Sequence, residues 1–312
     1  MPRPRLLALV GPTAAGKTAL AIRLAERTSA EIVSIDSRQV FRGLDVGTAK
    51  PTREERARVP HQLLDVADPG ERWDAARHAE EARRAIAGIE ARGRPALLCG
   101  GSGLYLRALA DGLCPAPPAD PSLRDQLRRE IGAGGAERLR GELESGDPEA
   151  ARRIAPADHA RLVRAVEVLR LTGRPLSAWQ EEHRCAARPF DVVVAVLSPP
   201  VEELDRRIAE RTAAMFRGGL LEETSAALAS GVPADSAALQ SIGYREAQLV
   251  LAGRSGIEEA VAAATLATRR YAKRQRTWFR GLADAHWLDP ADPDAELLRR
   301  AAAIRDGGLH AA

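Results

Sequence analysis

Three short stretches of this 312-residue chain carry residue types that can do chemistry together. The first is "GPTAAGKT", residues 11–18, where Gly11, Gly16, Lys17 and Thr18 have the G-x-x-x-x-G-K-T spacing and Pro12, Thr13, Ala14 and Ala15 fill the variable positions. A glycine-rich turn between strand and helix points backbone amides and the positive helix end at phosphate oxygens. The lysine adds charge, and the threonine hydroxyl can ligate magnesium. Such a loop names phosphates, not a reaction. The second stretch is "GGSG", residues 100–103, where two glycines allow close backbone approach, Ser102 offers a hydroxyl, and a helix starting near Leu104 presents its N-terminus. A tight strand-to-helix connection is the plain alternative there. The third is "SIDSRQVFRGLDVGTAKP", residues 34–51, which puts Asp36 at the carboxyl end of a strand, where ligands of open parallel sheets collect. Asp36 also suits a turn cap, and the turn-like surroundings of Asp45 favour that plainer role for Asp45. A nucleotide-hydrolysing protein is expected to end the strand before residue 100 in an acid that holds magnesium or orients water. Here that strand runs into glycine, and the carboxylate is Asp36 instead.

The elements that must position these groups follow from the apolar pattern. Residues 5–10, 31–36, 95–99 and 190–197 read as buried strands, with 285–288 as a short last one, and helical periodicity fills the gaps. The expected fold is α/β: a P-loop NTPase-like parallel sheet flanked by helices. Proline-rich residues 112–122 interrupt the alternation, and from there to about Pro189 the pattern is purely helical. Asp147-Pro148 opens one helix, Gly173 closes the next, and Ser177 with Gln180 suits a capping box. The expected division is a core of 1–114 with 189–312 and a helical insertion domain of 115–188.

Composition narrows the class. Hydrophobic residues at 45% with 29% charged describe a globular chain, and no apolar run approaches membrane-spanning length, so a cytoplasmic location is expected. Cys99, Cys114 and Cys185 are far apart and suggest neither a disulfide framework nor a zinc site. Positive charge is almost all arginine, with lysine only at Lys17, Lys50 and Lys273. A phosphate loop requires the compact ammonium, which accounts for Lys17 and suggests a similar need at the other two. Arg161 and Arg164 lie one turn apart, and Arg269, Lys273, Arg276 and Arg280 form a stripe that suits either solvent or phosphate. Beside it, Tyr271, Gln275 and Trp278 form a stripe that reads as core packing in preference to base stacking.

Six segments, "GPTAAGKT", "DSRQVFRGLDVGTAKP", "GGSGLYLRAL", "RLVRAVEVLRLTG", "QSIGYRE" and "KRQRTWFR", together resemble the tRNA dimethylallyltransferases, also called isopentenyl-tRNA transferases, in the same order and in the shorter bacterial form. The chain departs from the family's usual residues at Ala15 (Ser), Arg38 (Met), Phe41 (Tyr), Ser102 (Thr) and Ala160 (Gln). The resemblance implies transfer of a dimethylallyl group from dimethylallyl diphosphate to the exocyclic amine of the adenosine 3′ to the anticodon, with diphosphate leaving. It implies Mg2+ as cofactor on Thr18, residues 11–18 as the diphosphate loop, and a tRNA anticodon stem-loop as partner. Membrane or obligate protein partners are not implied, so a monomer is expected.

Under that resemblance Lys17, Ser102 and Arg211 stabilise the departing diphosphate, and Asp36 is general base. From the residues alone, Arg211 is as readily a solvated helix charge as part of a clamp. An adenine amine is a poor nucleophile whose lone pair is delocalised. The carbon–oxygen bond must therefore ionise, and an ionised carboxylate suffices as base because the amine becomes acidic as the new bond forms. The implied tRNA contacts are Asp36, Ser37, Arg38, Gln39 and Ser102 near the sheet; Arg124, Ala160, Arg161, Leu162, Val163 and Arg164 in the insertion; and Gln240, Ser241, Ile242, Gly243, Tyr244 and Arg245 in "QSIGYRE". Without the resemblance this last segment reads as a helix start with a buried tyrosine. Three other readings compete: a P-loop kinase of a small metabolite, an isopentenyltransferase of free adenine nucleotides, and an NTP-switched RNA-binding module. The first two leave the helical insertion and basic later helices unexplained, and the missing acid at the glycine turn weighs against the third.

Overall fold

The computed structural model describes residues 5–184, 188–289 and 291–305, so Cys185 lies outside the described residues. Contacts group the chain into two compact units, one up to Asp111 and from Pro189 on, the other Gly112–Arg188.

The first unit is built on six parallel strands: β1 Arg5–Val10, β2 Glu31–Ile35, β3 His61–Gln62, β4 Ala96–Gly100, β5 Asp191–Val196 and β6 Ala285–Trp287, in the order β3-β2-β4-β1-β5-β6. The apolar runs "LLALV" and "EIVSI" are buried nearly throughout, because helices cover both faces of an all-parallel sheet. One face packs with α3 (Ala75–Ala91), α4 (Gly103–Ala110), α12 (Tyr244–Leu251) and α13 (Ile257–Arg280) around Ile35, Ile86, Leu98, Leu109, Tyr244 and Phe279. The other packs with α1 (Lys17–Thr28) and α14 (Pro293–Arg305) around Leu9, Leu20, Ile22, Leu24 and Leu297. The short strand β3 was not apparent from the sequence: two residues give no periodicity, and β3 exists because His61 and Gln62 pair with Ile32 and Val33. The other strand boundaries lie within about one residue of the pattern, inside the ordinary fraying of strand ends.

Register brings the chemistry to one edge. Gly100 pairs with Val10 on one side and Ile35 on the other, so the carboxyl ends of β1, β2 and β4 stand level. A Cβ on Gly100 would collide with the Ile35 carbonyl, which explains the glycine in the middle of the sheet.

The second unit holds α5 (Pro121–Gly132), α6 (Ala136–Gly146), α7 (Pro148–Arg153), α8 (His159–Thr172) and α9 (Leu176–Arg184) around Leu127, Leu139, Leu143, Leu162 and Val166. Asp120 and Asp147 cap α5 and α7 by accepting the Leu123 and Ala150 amides, and Gly173 ends α8 in the left-handed conformation at φ 65°. The expected Ser177–Gln180 capping box does not form. Helix α9 begins at Leu176, which places Ser177 inside the first turn, and its amide donates to Asp147 while Gln180 accepts from Arg153.

Candidate active site

The phosphate loop joins β1 to α1 in a conformation with Gly11, Ala14 and Gly16 all at positive φ (149°, 63° and 94°). Gly11 is required twice over, since a Cβ there would run into the Leu197 carbonyl oxygen. Lys17 folds back so that Nζ donates to the Pro12 carbonyl at 2.7 Å. Burial lowers its pKa to about 8, opposed by the nearby Cys99 and Asp36 and reinforced by Arg211. Ala15 is 2% exposed and packs in the α1 face of the core, so the usual serine is replaced where its hydroxyl would face an apolar cluster.

Helix α10 (Val201–Arg217) contributes two arginines one turn apart. Arg207 donates to the Ala15 carbonyl at 3.2 Å and pairs with Glu203. Arg211 donates to the Thr13 hydroxyl and lines the cavity over the loop. Desolvation depresses its pKa, with Asp36 pulling the other way. Of the two readings open for Arg211, a solvated helix charge does not describe a desolvated side chain bonded to the loop. Arg206, on the outer face, pairs with Glu210.

Asp36 follows β2 directly. Its Oδ1 accepts the backbone amides of Arg38 at 2.7 Å and Gln39 at 3.3 Å, the turn-cap arrangement, and Oδ2 has no hydrogen bond among the described residues. The turn-cap reading of Asp36 therefore leaves its second oxygen uncommitted. Ser102 Oγ accepts the Ser37 amide at 3.2 Å, tying the glycine turn to the Asp36 turn. The phenol of Tyr271 interacts with the Ser102 hydroxyl, and burial together with Asp36 pushes its pKa up to about 12. One cavity of about 400 Å³ is lined by Lys17, Thr18, Asp36, Arg211, Tyr271 and Gln275. A second of about 310 Å³ shares Thr13, Asp36, Arg211 and Tyr271 and adds the apolar Met215, Phe216, Leu220 and Ile242.

Two site residues were not legible as such. Tyr271, expected as packing, lines both cavities. Gln275 is 6% exposed, yet its Oε1 accepts the Thr13 amide at 2.8 Å and its Nε2 donates to the Gly101 carbonyl at 2.9 Å. The only sequence signal was their four-residue spacing on one helix face. Trp278, the third member of that stripe, packs against Gly103, where a Cβ would meet its ring.

The other candidate contacts divide clearly. Gln240, Ser241, Ile242 and Gly243 line the second cavity with Ser37 and Arg38, and the Arg38 guanidinium donates to the Ala237 carbonyl. Gln39 lines the phosphate-side cavity with Asp36, its Nε2 donating to the Ala49 carbonyl at 3.2 Å. Tyr244 is fully buried, and Arg245 pairs with Glu246. Within the helical unit, Arg124, Ala160, Val163 and Arg164 line a cavity of about 450 Å³, and Arg161 is exposed beside Asp158. The side chains of Leu162 and Val163 are in that unit's core, because their α8 face packs on α5 and α6, and a surface contact there falls to their backbone and neighbours. Along α13, Arg269, Lys273 and Arg280 are exposed and Arg276 is half-buried.

No group of three or more His, Cys, Asp or Glu suited to a metal occurs among the described residues. Thr18 and Asp36 nonetheless line the phosphate cavity together. That donor set fits a hard cation that keeps most of its ligands as water and substrate phosphate oxygens. No helix among the described residues is long and apolar enough to cross a membrane.

An IPP transferase family model matches residues 39–282, and an isopentenyl transferase model matches residues 4–67. The tRNA dimethylallyltransferase of Geobacter metallireducens is 48% identical over 92% of this chain and 93% of its own, and that of Anaeromyxobacter dehalogenans strain 2CP-C is 49% identical over 95% and 98%. The crystal structure of the Bacillus halodurans tRNA isopentenylpyrophosphate transferase superposes with TM-score 0.72 at 35% identity, covering 98% of each chain. A eukaryotic dimethylallyltransferase captured acting on tRNA gives TM-score 0.79 at 25% identity, over 97% of this chain and 79% of that one.

Proposed function

The chain belongs to the tRNA dimethylallyltransferase family, and from that premise we propose that it moves a dimethylallyl group from dimethylallyl diphosphate to the exocyclic amine of the adenosine 3′ to the anticodon, releasing diphosphate. The observation that carries the reading is that Lys17, Arg211 and Asp36 line one cavity. Two cations and the loop amides stabilise charge where the leaving group departs. A carboxylate with one uncommitted oxygen stands where an amine must be oriented and deprotonated. The Ser102 hydroxyl, joined to the Asp36 turn through Ser37, is the group assigned to hydrogen-bond the departing oxygen. A magnesium ion, held by Thr18 and the diphosphate, would supply further charge neutralisation.

The apolar lining of the second cavity, Met215, Phe216, Leu220 and Ile242, suits a group with few hydrogen-bonding atoms beside the reacting centre. An adenine inside an anticodon loop must leave its stack to reach such a site, and edge hydrogen bonds and stacking in a pocket offset that cost. The exposed Arg161 of α8 and the basic stripe on α13 supply positive surface for the tRNA backbone, while Arg164 is held inside its unit by Glu167. The test is incubation of the full chain with tRNA, dimethylallyl diphosphate and magnesium, followed by nucleoside mass spectrometry. Prenylated adenosine is expected. Consumption of ATP with no change in tRNA mass would overturn the assignment.

A further inference from the structure

We propose that Glu223 and Tyr244 form an internal clamp that positions Asp36, a role that rests on the transfer reaction above. Glu223 lies on α11 (Leu220–Ala229), well away in sequence from the Asp36 segment. Its Oε2 accepts the amides of Asp45 at 2.7 Å and Val46 at 2.9 Å, and its Oε1 accepts the Gly47 amide at 3.2 Å and the Tyr244 hydroxyl. Three successive amides converging on one point form a concave anion-binding site. Here the anion is the protein's own carboxylate, and bonds to a charged acceptor are the stronger kind. Burial, followed by the Glu223 bond, raises the Tyr244 phenol above its ordinary range, so it stays protonated and acts as donor. The packing is closed: a Cβ on Gly47 would stand 2.5 Å from the Tyr244 ring and 2.8 Å from Leu220.

From this clamp a hydrogen-bonded route leads to the base. The carbonyls of Thr48 and Ala49, the next two residues, accept from Gln39 Nε2 at 3.5 and 3.2 Å. Gln39 Oε1 accepts the Ser34 hydroxyl at 3.1 Å, and the Gln39 backbone amide donates to Asp36 Oδ1 at 3.3 Å, beside the shorter bond from the Arg38 backbone amide at 2.7 Å. Releasing residues 45–47 therefore loosens the acceptors that hold the Gln39 side chain, and with it the turn whose backbone amides hold the carboxylate. Tyr244 joins the same point to residues 240–243, which line the second cavity with Gly47, Thr48 and Ala49. Its role in "QSIGYRE" is internal, and touching RNA is left to its neighbours.

The test compares the full chain with Glu223→Gln, Tyr244→Phe, Gln39→Ala and the Glu223→Gln/Gln39→Ala double variant. In Glu223→Gln, hydrogen exchange of the amides of Asp45, Val46 and Gly47 is expected to quicken by about tenfold or more while α13 is unchanged, because a neutral amide cannot satisfy three donors. Unchanged exchange overturns the clamp whether or not the chain modifies tRNA. In transfer assays Glu223→Gln is expected to lower kcat about thirtyfold, and Tyr244→Phe about threefold to tenfold, with the KM for dimethylallyl diphosphate within about twofold, as for a misplaced catalytic group. In the Gln39→Ala background the same Glu223 change should cost less than about threefold, since both act along one route. A fully multiplicative loss, or a parallel loss of diphosphate binding, overturns positioning through Gln39. Absence of transfer by the unmodified chain would overturn the reaction and with it this role, leaving exchange to decide the clamp alone.

Discussion

The two sides of the site are built on opposite electrostatic terms. On the phosphate side, Lys17 and Arg211 are cations whose charged forms are disfavoured by burial, and their partners are neutral: a carbonyl and a hydroxyl. On the acceptor side Asp36 is already satisfied through Oδ1, and its surroundings are a closed set of hydrogen bonds through Ser37, Arg38 and Gln39. The first side presents cations with no hydrogen-bonded carboxylate, and the second presents a carboxylate whose turn is fixed through one oxygen while the other stays uncommitted. A leaving group that carries its own charge can be recognised by cations whose hydrogen-bond partners are neutral. A neutral amine has to be met by geometry fixed in advance.

This contrast can be broken most directly at Asp36. Asp36→Asn keeps the cap and removes the base, so kcat is expected to fall by about 10³-fold, while dimethylallyl diphosphate, measured by calorimetry, binds within about threefold of the unmodified chain. Retained turnover would remove Asp36 as base. On the other side, Lys17→Ala is expected to cost about 10²-fold in kcat/KM, with diphosphate binding weakened in step, so the loss should lie in kcat for Asp36→Asn and in binding for Lys17→Ala. Gln275→Ala, which unties Thr13 from Gly101, is expected to cost about tenfold to thirtyfold in kcat; the conservative Gln275→Glu places a charge beside the Gly101 carbonyl and should not rescue it. Ser102→Ala should lose about tenfold in kcat and Ser102→Thr almost nothing, because only the hydroxyl is required.

The smallest effect expected is a pH dependence confined to the phosphate side. With Lys17 at about 8 in the folded chain against an ordinary value of 10.5, the folded state binds fewer protons than the unfolded one between those values. The lysine therefore costs stability below about pH 8, and stability contributed through it rises from there towards pH 10.5. Diphosphate affinity should move the other way, weakening as pH rises through about 8 and the ammonium is lost, by at most about tenfold per pH unit. Isothermal titration at several pH values should show proton uptake on binding near pH 8, and Lys17→Met should abolish it. A flat affinity profile would remove Lys17 as the responsive cation.

Legibility in the sequence followed the same division. Residues 11–18 and Asp36 could be read because each is a local pattern: a motif on a strand end, or a carboxylate after an apolar run. The parallel sheet could be read for the same reason, β1, β2 and β5 being short, largely apolar segments. What stayed hidden depends on distant partners. Glu223 looks like any helix-surface glutamate until the amides of 45–47 are seen on it. Tyr271 looked like packing because an amphipathic helix gives no sign of whether its inner face meets a core or a cavity. Lys50, only suggestive as a retained lysine, is explained by its surroundings: its side chain is fully buried, and one ammonium reaches the Phe41 carbonyl and the carboxylates of Asp45 and Asp65. A broad planar guanidinium presents its donors in a fixed fork that does not match three converging acceptors.

The link made by Gln275 also bears on how the molecule comes into being. Thr13 and Gly101 are joined by a side chain that follows them by 262 and 174 positions. During synthesis the first strand, its loop and the second glycine turn leave the ribosome long before the residue that fastens them. The phosphate site, though begun within the first twenty residues, is thus among the last parts to be finished, and a nascent chain stopped short of α13 would carry the whole motif without the tie that sets its shape.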